Sequence, residues 1–406
     1  MGNKRKESFM EHTYDFDTPI DRTGTCCIKW DRRKGKFQDD QVLPMWIADT
    51  DFACPQEVTE AITRRCAHPI FGYSFPRDQY FTSIIDWFAS RHGLSLKKEW
   101  IRPSCGVVTS ISYCIQALTS PGDKVLIQPP VYDPFQAVIA GAGRRVVENP
   151  LIHTDNTYTM DFDHLEQAFQ EGVRMMILCN PHNPVGRVWS REEITRLVSL
   201  CVQYQVYLVS DEIHCDIELF GNHYTSVLAV PEGHPYTICC IAPGKTFNVS
   251  GLAISSLLVP DQDLNDRIGS QLRSAWLINP SVLALEASAA AYTHGSPWLD
   301  AQLAYLEDNA RLVASRLAAE APSIVPAKLE GTFLMWLDFS AFGLTGARLQ
   351  EELIHTWHLG FNDGPHFGTG GEGFMRMNIG CNRSLINQAV DNLVKMHLAR
   401  NSSRSI

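Results

Sequence analysis

Polar residues follow directly after three short apolar segments in the middle of the chain. They occupy residues 180–186, 211–214 and 242–245. Short apolar strands that alternate with helices are typical of a mostly parallel sheet buried on both faces. Because ligands of such sheets bind outside the carboxyl ends of the strands, these three groups are predicted to converge at one edge of the sheet.

Two residues of these groups suit the chemistry of an aldehyde cofactor with a pyridine ring. Lys245 follows an apolar segment, where partial desolvation lowers the pKa of an amine and favours imine formation. Asp211 follows another such segment, and a carboxylate beside a pyridine nitrogen keeps that nitrogen protonated as an electron sink. The pair therefore predicts pyridoxal 5'-phosphate (PLP), held by Lys245 as a Schiff base.

The other parts of such a site have one candidate each. Gly106, Val107 and Val108 begin a predicted helix, and the first N–H groups of a helix can bind a phosphate. Tyr132 follows a predicted strand and can stack on the ring of the cofactor. Arg376 lies in a predicted strand, and an arginine can bind a substrate carboxylate through two parallel hydrogen bonds.

Each candidate also has an ordinary structural explanation. A lysine after a strand is usually solvated, and Asp211 can cap a helix. Gly106 can serve only as a turn, Tyr132 can belong to the core, and Arg376 can be half of an ion pair. The order and placement of the residues together, not any one of them, indicate a cofactor site.

The elements that must position these residues divide the chain into two patterns. In the middle, predicted strands and helices alternate, at 107–118, 124–128, 174–179, 191–203, 206–210 and 237–241. Beyond them come a long helix at 298–319, strands at 331–338 and 374–379, and a final helix. We predict an α/β fold with three parts: an N-terminal arm (1–50), a large cofactor-binding domain (51–290) and a small α+β domain (291–406). In the arm, residues 29–31 are predicted to form a strand or a turn.

Composition excludes several classes of protein. The 406 residues carry a formal net charge of -10, which argues against nucleic acid as a partner. A membrane span is not predicted, because no run of about 18 apolar residues occurs, and the polar residues 1–10 predict no signal peptide. The 12 cysteines contain no C-x-x-C spacing and are predicted to be reduced, mostly structural thiols of a cytoplasmic protein.

Other ligand motifs are incomplete. A P-loop ending at Gly244 and Lys245 would need a glycine at position 239, which is a cysteine. His214 and Cys215 lie near Asp211 without a third ligand at metal-binding spacing, so no metal site is predicted.

The motifs as a set resemble a known family over roughly residues 25–398. The segments NPHNPVG (180–186), SDEIH (210–214) and APGKTFN (242–248) are similar to those of fold-type I, class I/II aminotransferases. The segments LPMWIADTDF (43–52), FGYS (71–74) and PPVYDPF (129–135) more narrowly resemble the MalY/PatB group of cystathionine β-lyases. This resemblance implies a large domain with a mostly parallel seven-stranded sheet, and PLP-dependent cleavage of a carbon–sulfur bond.

The resemblance also implies roles for individual residues. Asn183 would bind the phenolic oxygen of the cofactor, and His214 falls where many aminotransferases have a tyrosine partner of that oxygen. Tyr73 would reach the phosphate in a partner subunit, which implies a homodimer with shared active sites. The other roles are Schiff base and proton transfer for Lys245, the pyridine nitrogen for Asp211, ring stacking for Tyr132, phosphate binding for Gly106, Val107 and Val108, and substrate binding for Arg376, Asn183, Trp46 and Tyr132.

One position departs from the family pattern. The family often has a serine before the lysine, which helps to bind phosphate, and this chain has Gly244 there. The details of the phosphate site are therefore left open by the sequence.

Three functions remain after these steps. The first is β-elimination from a cysteine S-conjugate to give a thiol, pyruvate and ammonia. The second is transamination, which shares every step up to removal of the Cα proton. The third is a non-catalytic regulatory protein on the same fold, which the presence of Lys245, Asp211 and Asn183 disfavours. The resemblance favours the lyase, and the sequence leaves its S-substituent open.

Overall fold

The computed structural model describes residues 14–277 and 279–403. Its α-helices are α1 Ile28–Asp31, α2 Arg33–Phe37, α3 Gln56–Cys66, α4 Asp78–His92, α5 Val107–Leu118, α6 Pro134–Gly141, α7 Phe162–Gln170, α8 Arg191–Tyr204, α9 Pro243–Thr246, α10 Gln262–Ser274, α11 Val282–His294, α12 Ser296–Glu320, α13 Gly346–His355 and α14 Arg383–Ser403. Its strands are β1 Leu43–Pro44, β2 Ile101–Ser104, β3 Lys124–Ile127, β4 Arg145–Glu148, β5 Ile152–Thr154, β6 Thr157–Thr159, β7 Val173–Cys179, β8 Tyr207–Asp211, β9 Thr237–Ile241, β10 Ser255–Leu258, β11 Val325–Pro326, β12 Leu334–Asp338, β13 Leu359–Gly360, β14 Asn362–Asp363 and β15 Phe374–Asn378.

A seven-stranded sheet dominates the fold, in the order β2-β10-β9-β8-β7-β3-β4. Strands β9, β8, β7, β3 and β4 pair in parallel, and only β10 runs antiparallel to its neighbours. This arrangement confirms the predicted α/β class and the mostly parallel seven-stranded sheet. Because β7, β8 and β9 are adjacent, the residues that follow them meet at one edge.

Alternating side chains of the central strands enter two different cores. In β9, Ile238 and Cys240 pack in one cluster with Ile111 of α5, whereas Cys239 and Ile241 belong to the other. Burial on both faces explains why these strands are continuous apolar runs in the sequence. All twelve cysteines are free, and seven of them are buried. This agrees with the prediction that most are structural core residues.

A smaller sheet lies in the C-terminal part of the chain. Its order is β11-β12-β15-β14, and all its pairs are antiparallel. The short strand β1 pairs in parallel with β13, which fastens the segment after residue 42 beside the C-terminal sheet. That pairing aims the following residues, 45–52, towards the edge where β7, β8 and β9 end.

The arm differs from its prediction. Residues 29–31, expected to form a strand or a turn, lie in helix α1. The carboxylate of Asp31 accepts hydrogen bonds from the backbone N–H groups of Gly24 and Cys27, at 2.8 and 3.0 Å. It thereby satisfies donors that precede the helix, a contact between residues up to seven apart that local patterning does not reveal. The polar residues 1–10, whose composition predicts no signal peptide, lie outside the described residues. No described helix combines the length and apolar character that crossing a bilayer demands.

Candidate active site

A cavity of about 280 Å³ opens where β7, β8 and β9 end. Eight of the predicted site residues line it, and they are Gly106, Val107, Val108, Tyr132, Asn183, Asp211, His214 and Lys245. The convergence that the strand order predicted is therefore present in the structure.

Lys245 lies in the single turn of α9, directly after β9. Its Nζ donates a hydrogen bond of 2.5 Å to the backbone oxygen of Ala48. Burial of the amine lowers the pKa of Lys245 to about 8, with Asp49 and Asp211 opposing this effect and Arg376 adding to it. A larger fraction of this amine is therefore neutral near pH 8 than in an ordinary lysine, which suits it to nucleophilic attack and proton transfer.

Asp211 is the last residue of β8 and is buried. The backbone N–H of Ile213 donates to its Oδ1 at 3.1 Å. Burial raises the pKa of Asp211 to about 7, while the Ile213 hydrogen bond and the charge of Lys245 act in the opposite direction. Within residues 14–277 and 279–403, the Asp211 carboxylate has no cation in salt-bridge contact, so a cationic group bound in the cavity would stabilise it.

Arg376, in β15, is a buried guanidinium that is held by neutral oxygens. It donates to Asn183 Oδ1 at 2.9 Å, to Asn362 Oδ1 at 2.9 Å and to the backbone oxygen of Trp46 at 2.6 Å. Its Nε has no hydrogen-bond partner, and in the part of the chain that is described no carboxylate forms a salt bridge with it. Burial lowers the pKa of Arg376 to about 10, so it stays charged at neutral pH and fits an incoming carboxylate.

The start of α5 forms a cradle beside Lys245. Gly106 has a φ of 128°, which only glycine adopts readily, and this brings the first turn of the helix to the cavity wall. The N–H groups of Val107 and Val108 belong to that first turn, which offers them no acceptor within the helix. The Gly106 N–H is already bonded to Ser255 Oγ, at 3.0 Å, so the following two N–H groups are the ones available to an anion.

His214 and Tyr132 complete the wall of the cavity. His214 is buried, its Nδ1 has no hydrogen-bond partner, and its ring packs on Phe333 with the centroids 5.7 Å apart. Burial lowers the pKa of His214, so its imidazole is neutral and can either donate or accept a hydrogen bond. Burial raises the pKa of Tyr132 to about 12, which keeps its phenol protonated beside the cavity.

The structure places two predicted site residues outside this cavity. The Trp46 indole packs edge-on against Phe37, with ring centroids 5.5 Å apart, and donates to the backbone oxygen of Lys29. Its backbone oxygen, not its ring, contacts Arg376. Tyr73 is fully exposed and lines a separate surface cavity, so it does not contribute to the site of its own chain.

Sequence reasoning missed the strap formed by residues 46–52, which covers the cavity with backbone carbonyls. Asn378 donates to the carbonyls of Ile47 and Asp49, and Asn248 donates to those of Thr50 and Phe52, all at 2.6–2.9 Å. These asparagines fix the position of the carbonyl that binds Lys245. Asn248 falls in the quoted APGKTFN motif, but carbonyl contacts carry no signal in side-chain patterning.

A buried carboxylate supports the lysine-bearing turn from below. Asp216 accepts hydrogen bonds from Thr246 Oγ1 at 2.7 Å, Trp87 Nε1 at 2.8 Å and His92 Nε2 at 2.7 Å. Thr246 directly follows Lys245, so the network joins α9 to α4. Burial acts to raise the pKa of Asp216, but its hydrogen bonds, above all that of His92, lower it.

We expect Asp216→Ala to destabilise the fold by about 3 kcal/mol, because three buried donors lose their acceptor. Chemical denaturation followed by fluorescence would measure this loss. Asp163→Ala is the matched control, since Asp163 is a fully exposed carboxylate on α7. Equal stability of the two variants would contradict the supporting role of Asp216.

The unmatched groups of the cavity fit the parts of PLP. A reactive amine (Lys245), a buried carboxylate without a counter-ion (Asp211) and free N–H groups at a helix start suit an aldehyde, a ring nitrogen and a phosphate respectively. The unpaired Arg376 lies across Asn183 from these groups and leaves room for a substrate carboxylate. The charges within the site are therefore complementary to an amino acid bound to this cofactor.

Comparison with known proteins gives the same assignment. Residues 42–393 match the family described as aminotransferase class I and II. The chain is 40% identical over 369 residues to cystathionine β-lyase PatB from Bacillus subtilis, a match that covers 90% of this chain and 95% of the relative.

Solved structures agree with this match. A PLP-bound putative aminotransferase from Clostridium difficile superposes with a TM-score of 0.92 at 35% identity, covering 94% of this chain and 99% of the other. Cystalysin from Treponema denticola, which contains PLP, superposes with a TM-score of 0.91 at 31% identity, covering 94% and 98%. The chain therefore belongs to the aminotransferase class I and II family, on the branch that includes PatB.

Proposed function

We propose that the protein is a PLP-dependent carbon–sulfur β-lyase, which converts L-cysteine S-conjugates to a thiol, pyruvate and ammonia. The observation that carries this proposal is the group formed by Lys245, Asp211 and the unpaired Arg376 around one cavity. The likeness to PatB, named a cystathionine β-lyase, over 90% of the chain supports the lyase reaction in particular.

The residues that would hold PLP come from four elements. Lys245 binds the aldehyde carbon, Asp211 binds the ring nitrogen, and Tyr132 stacks on the ring. The phenolic oxygen lies with Asn183 and His214, and the phosphate lies at the start of α5, with Val107 and Val108 as donors. When bound, PLP supplies an electron sink for the pair of electrons left on the substrate Cα.

The protein's own groups perform the remaining steps. Arg376 binds the α-carboxylate of the amino acid, and Asn183, bonded to Arg376, orients both the substrate and the cofactor. The amine of Lys245, whose lowered pKa makes it available as a base, takes the proton from Cα. The bond between the β-carbon and sulfur then breaks, the sulfur leaves as a thiolate, and water releases the remaining three carbons as pyruvate with ammonia.

We further propose that two copies of the chain form a homodimer in which Tyr73 serves the partner's phosphate site. Tyr73 is fully exposed, and Ile70, Phe71 and Phe75 of the same segment are also exposed. An apolar segment of this kind marks an interaction surface, and a second copy of the chain would bury it.

The proposal includes an arrangement for the whole chain. Residues 1–50 form the arm and the start of the small domain, 51–290 the PLP-binding domain, and 291–406 the rest of the small domain. The separate seven-stranded and four-stranded sheets support this division. We place the enzyme in the cytoplasm, in keeping with its free cysteines.

A transamination reaction is the alternative. The similar protein from Clostridium difficile is named a putative aminotransferase, and the geometry up to Cα proton removal is common to both reactions. The two differ only in whether the β-substituent leaves before the cofactor carbon is protonated.

One assay separates these two functions. The purified yellow protein is incubated with L-cystathionine and with simple S-alkyl cysteines, without any keto acid, and pyruvate and thiol are measured together. Equal release of both supports the lyase. Release of neither, with amino-group exchange once a keto acid is added, would reassign the protein as an aminotransferase.

We expect Arg376→Lys to lower kcat/KM for S-methyl-L-cysteine by about 100-fold, because a lysine cannot form the paired hydrogen bonds to a carboxylate. Steady-state kinetics would measure this change. A carboxylate-free substrate, S-methylcysteamine, serves as an internal control for misfolding. We expect the variant to lose discrimination between the two compounds, and unchanged discrimination would contradict the role of Arg376.

A further inference from the structure

The residue before Lys245 lacks a hydroxyl that related proteins often use. That residue is Gly244, in the single turn of α9, and Ala242 and Pro243 on its N-terminal side offer no hydroxyl either. The start of α5 would then bind a doubly charged phosphate with backbone N–H groups alone on that side of the cavity.

Ser250 approaches the place that a side chain at position 244 would occupy. A Cβ atom built on Gly244 would lie 2.9 Å from Ser250 Oγ and 3.2 Å from Ser250 Cα. Both distances are shorter than ordinary van der Waals contact, so a larger residue at 244 and the present position of Ser250 exclude each other. The Ser250 hydroxyl therefore lies next to the volume that a serine at 244 would fill.

The backbone fixes this approach. The N–H of Val249 donates to the carbonyl of Gly244 at 3.0 Å, which folds the chain after Lys245 back onto α9. Residues Ser250–Leu252 then form a short 3-10 turn. The close contact between 244 and 250 thus belongs to the lysine-bearing segment itself.

Ser250 also lines the same cavity as the phosphate cradle. Gly106, Val107, Val108 and Thr109 form one part of its wall, and Gly244 and Ser250 form another. In the part of the chain that is described, the Ser250 hydroxyl makes no hydrogen bond. It is a free donor at the mouth of an anion cradle, whereas Ser255 nearby is already engaged by the Gly106 N–H.

We propose that Ser250 supplies the hydroxyl that binds the cofactor phosphate, in place of the one absent at Gly244. This inference rests on the proposed PLP site. It assigns a cofactor-binding role to a residue that the sequence motifs do not single out, and it explains how this chain tolerates glycine before the lysine. A hydroxyl that donates to a phosphate forms a charge-assisted hydrogen bond, which is stronger than one between neutral groups.

The test measures cofactor binding and not turnover. Cofactor-free protein is titrated with PLP and, separately, with pyridoxal, which has the aldehyde and ring without the phosphate. We expect Ser250→Ala to weaken PLP binding about 10-fold or more, and to leave the affinity for pyridoxal unchanged within about twofold. Ser250→Thr keeps the hydroxyl and is expected to bind PLP nearly as tightly as the wild type.

Ser199→Ala is the matched control, because Ser199 is an exposed serine of α8 that bonds only within its own helix. If Ser250→Ala binds PLP as tightly as this control, or weakens PLP and pyridoxal equally, the proposal is wrong. If the wild type itself binds no PLP, the proposed function fails instead, so the two failures are distinguishable.

Discussion

Replacing Lys245 by alanine is expected to lower the release of pyruvate and thiol at least about 1,000-fold, because both covalent attachment and the Cα base are lost. The yellow absorbance of the lysine-bound cofactor should disappear in the same variant. The purified variant would be assayed with L-cystathionine beside the wild type, and its spectrum recorded at equal protein concentration.

Lys395→Ala provides the control for this experiment. Lys395 is an exposed lysine of α14, whose Nζ contacts Asn392. We expect that variant to keep full activity and its colour. Wild-type turnover by the Lys245 variant would sink both the PLP assignment and the proton-transfer role of Lys245.

The supporting network around Lys245 determines why this lysine, among many, is suited to the reaction. An ordinary surface lysine is protonated at neutral pH, whereas burial lowers the pKa of Lys245 to about 8. The carbonyl of Ala48 holds its Nζ, and Asp216 fixes the turn through Thr246. Reactivity therefore depends on contacts made by residues 30 to 197 positions away in the chain.

The fold was predictable because its physical origin is visible in the sequence. Continuous apolar runs such as 237–241 are what a strand buried on both faces requires, and the helices between them show a 3.6-residue period. The predicted strands and helices of the middle region are present to within about two residues, as is usual for element ends. Helix α1 was missed because the Asp31 contacts that fix it are not periodic.

The candidate site was predictable only in part, and the difference lies in what kind of contact positions each residue. Asp211 and Lys245 sit at strand ends, so strand order brought them together. The strap of residues 46–52 and the Ser250 hydroxyl depend on backbone carbonyls and on a glycine's missing side chain. Such contacts require three-dimensional positions, because no residue type announces them.

Trp46 illustrates the same limit. Its motif correctly located the strap, yet an aromatic residue in a motif does not reveal which way its ring points. The ring packs on Phe37 and leaves only the carbonyl for Arg376. We therefore expect the identity of the side chain at 46 to matter less for catalysis than the position of its backbone.

Asp211→Asn is expected to lower kcat about 1,000-fold, since the amide cannot hold a positive charge on the ring nitrogen beside it. Asparagine has the same shape and can still accept from the Ile213 N–H, so the loss should reflect charge and not folding. Kinetics with S-methyl-L-cysteine would measure it. Reconstitution with PLP methylated on the ring nitrogen, which carries a permanent charge, should restore part of the lost rate. Absence of any rate loss in the variant would refute the pairing.

The same residue predicts how the stability of the cofactor-free protein depends on pH. Burial raises the pKa of Asp211 to about 7 from the ordinary value of 3.8, so the folded state holds this proton more tightly than the unfolded state. Its contribution is favourable below the ordinary value and is lost as the pH rises through about 7, by up to about 4 kcal/mol. Asp211→Asn removes this titration.

Unfolding by urea at pH 5 and at pH 7.5, below the pKa of Lys245, therefore has a definite expected outcome. The cofactor-free wild type should lose stability relative to Asp211→Asn between the two values. PLP should reduce that loss, because a cationic ring nitrogen stabilises the ionised carboxylate. If the difference between the two proteins does not change with pH, the Asp211 carboxylate is already compensated in the folded chain, and its pairing with a cofactor cation would lose its electrostatic basis.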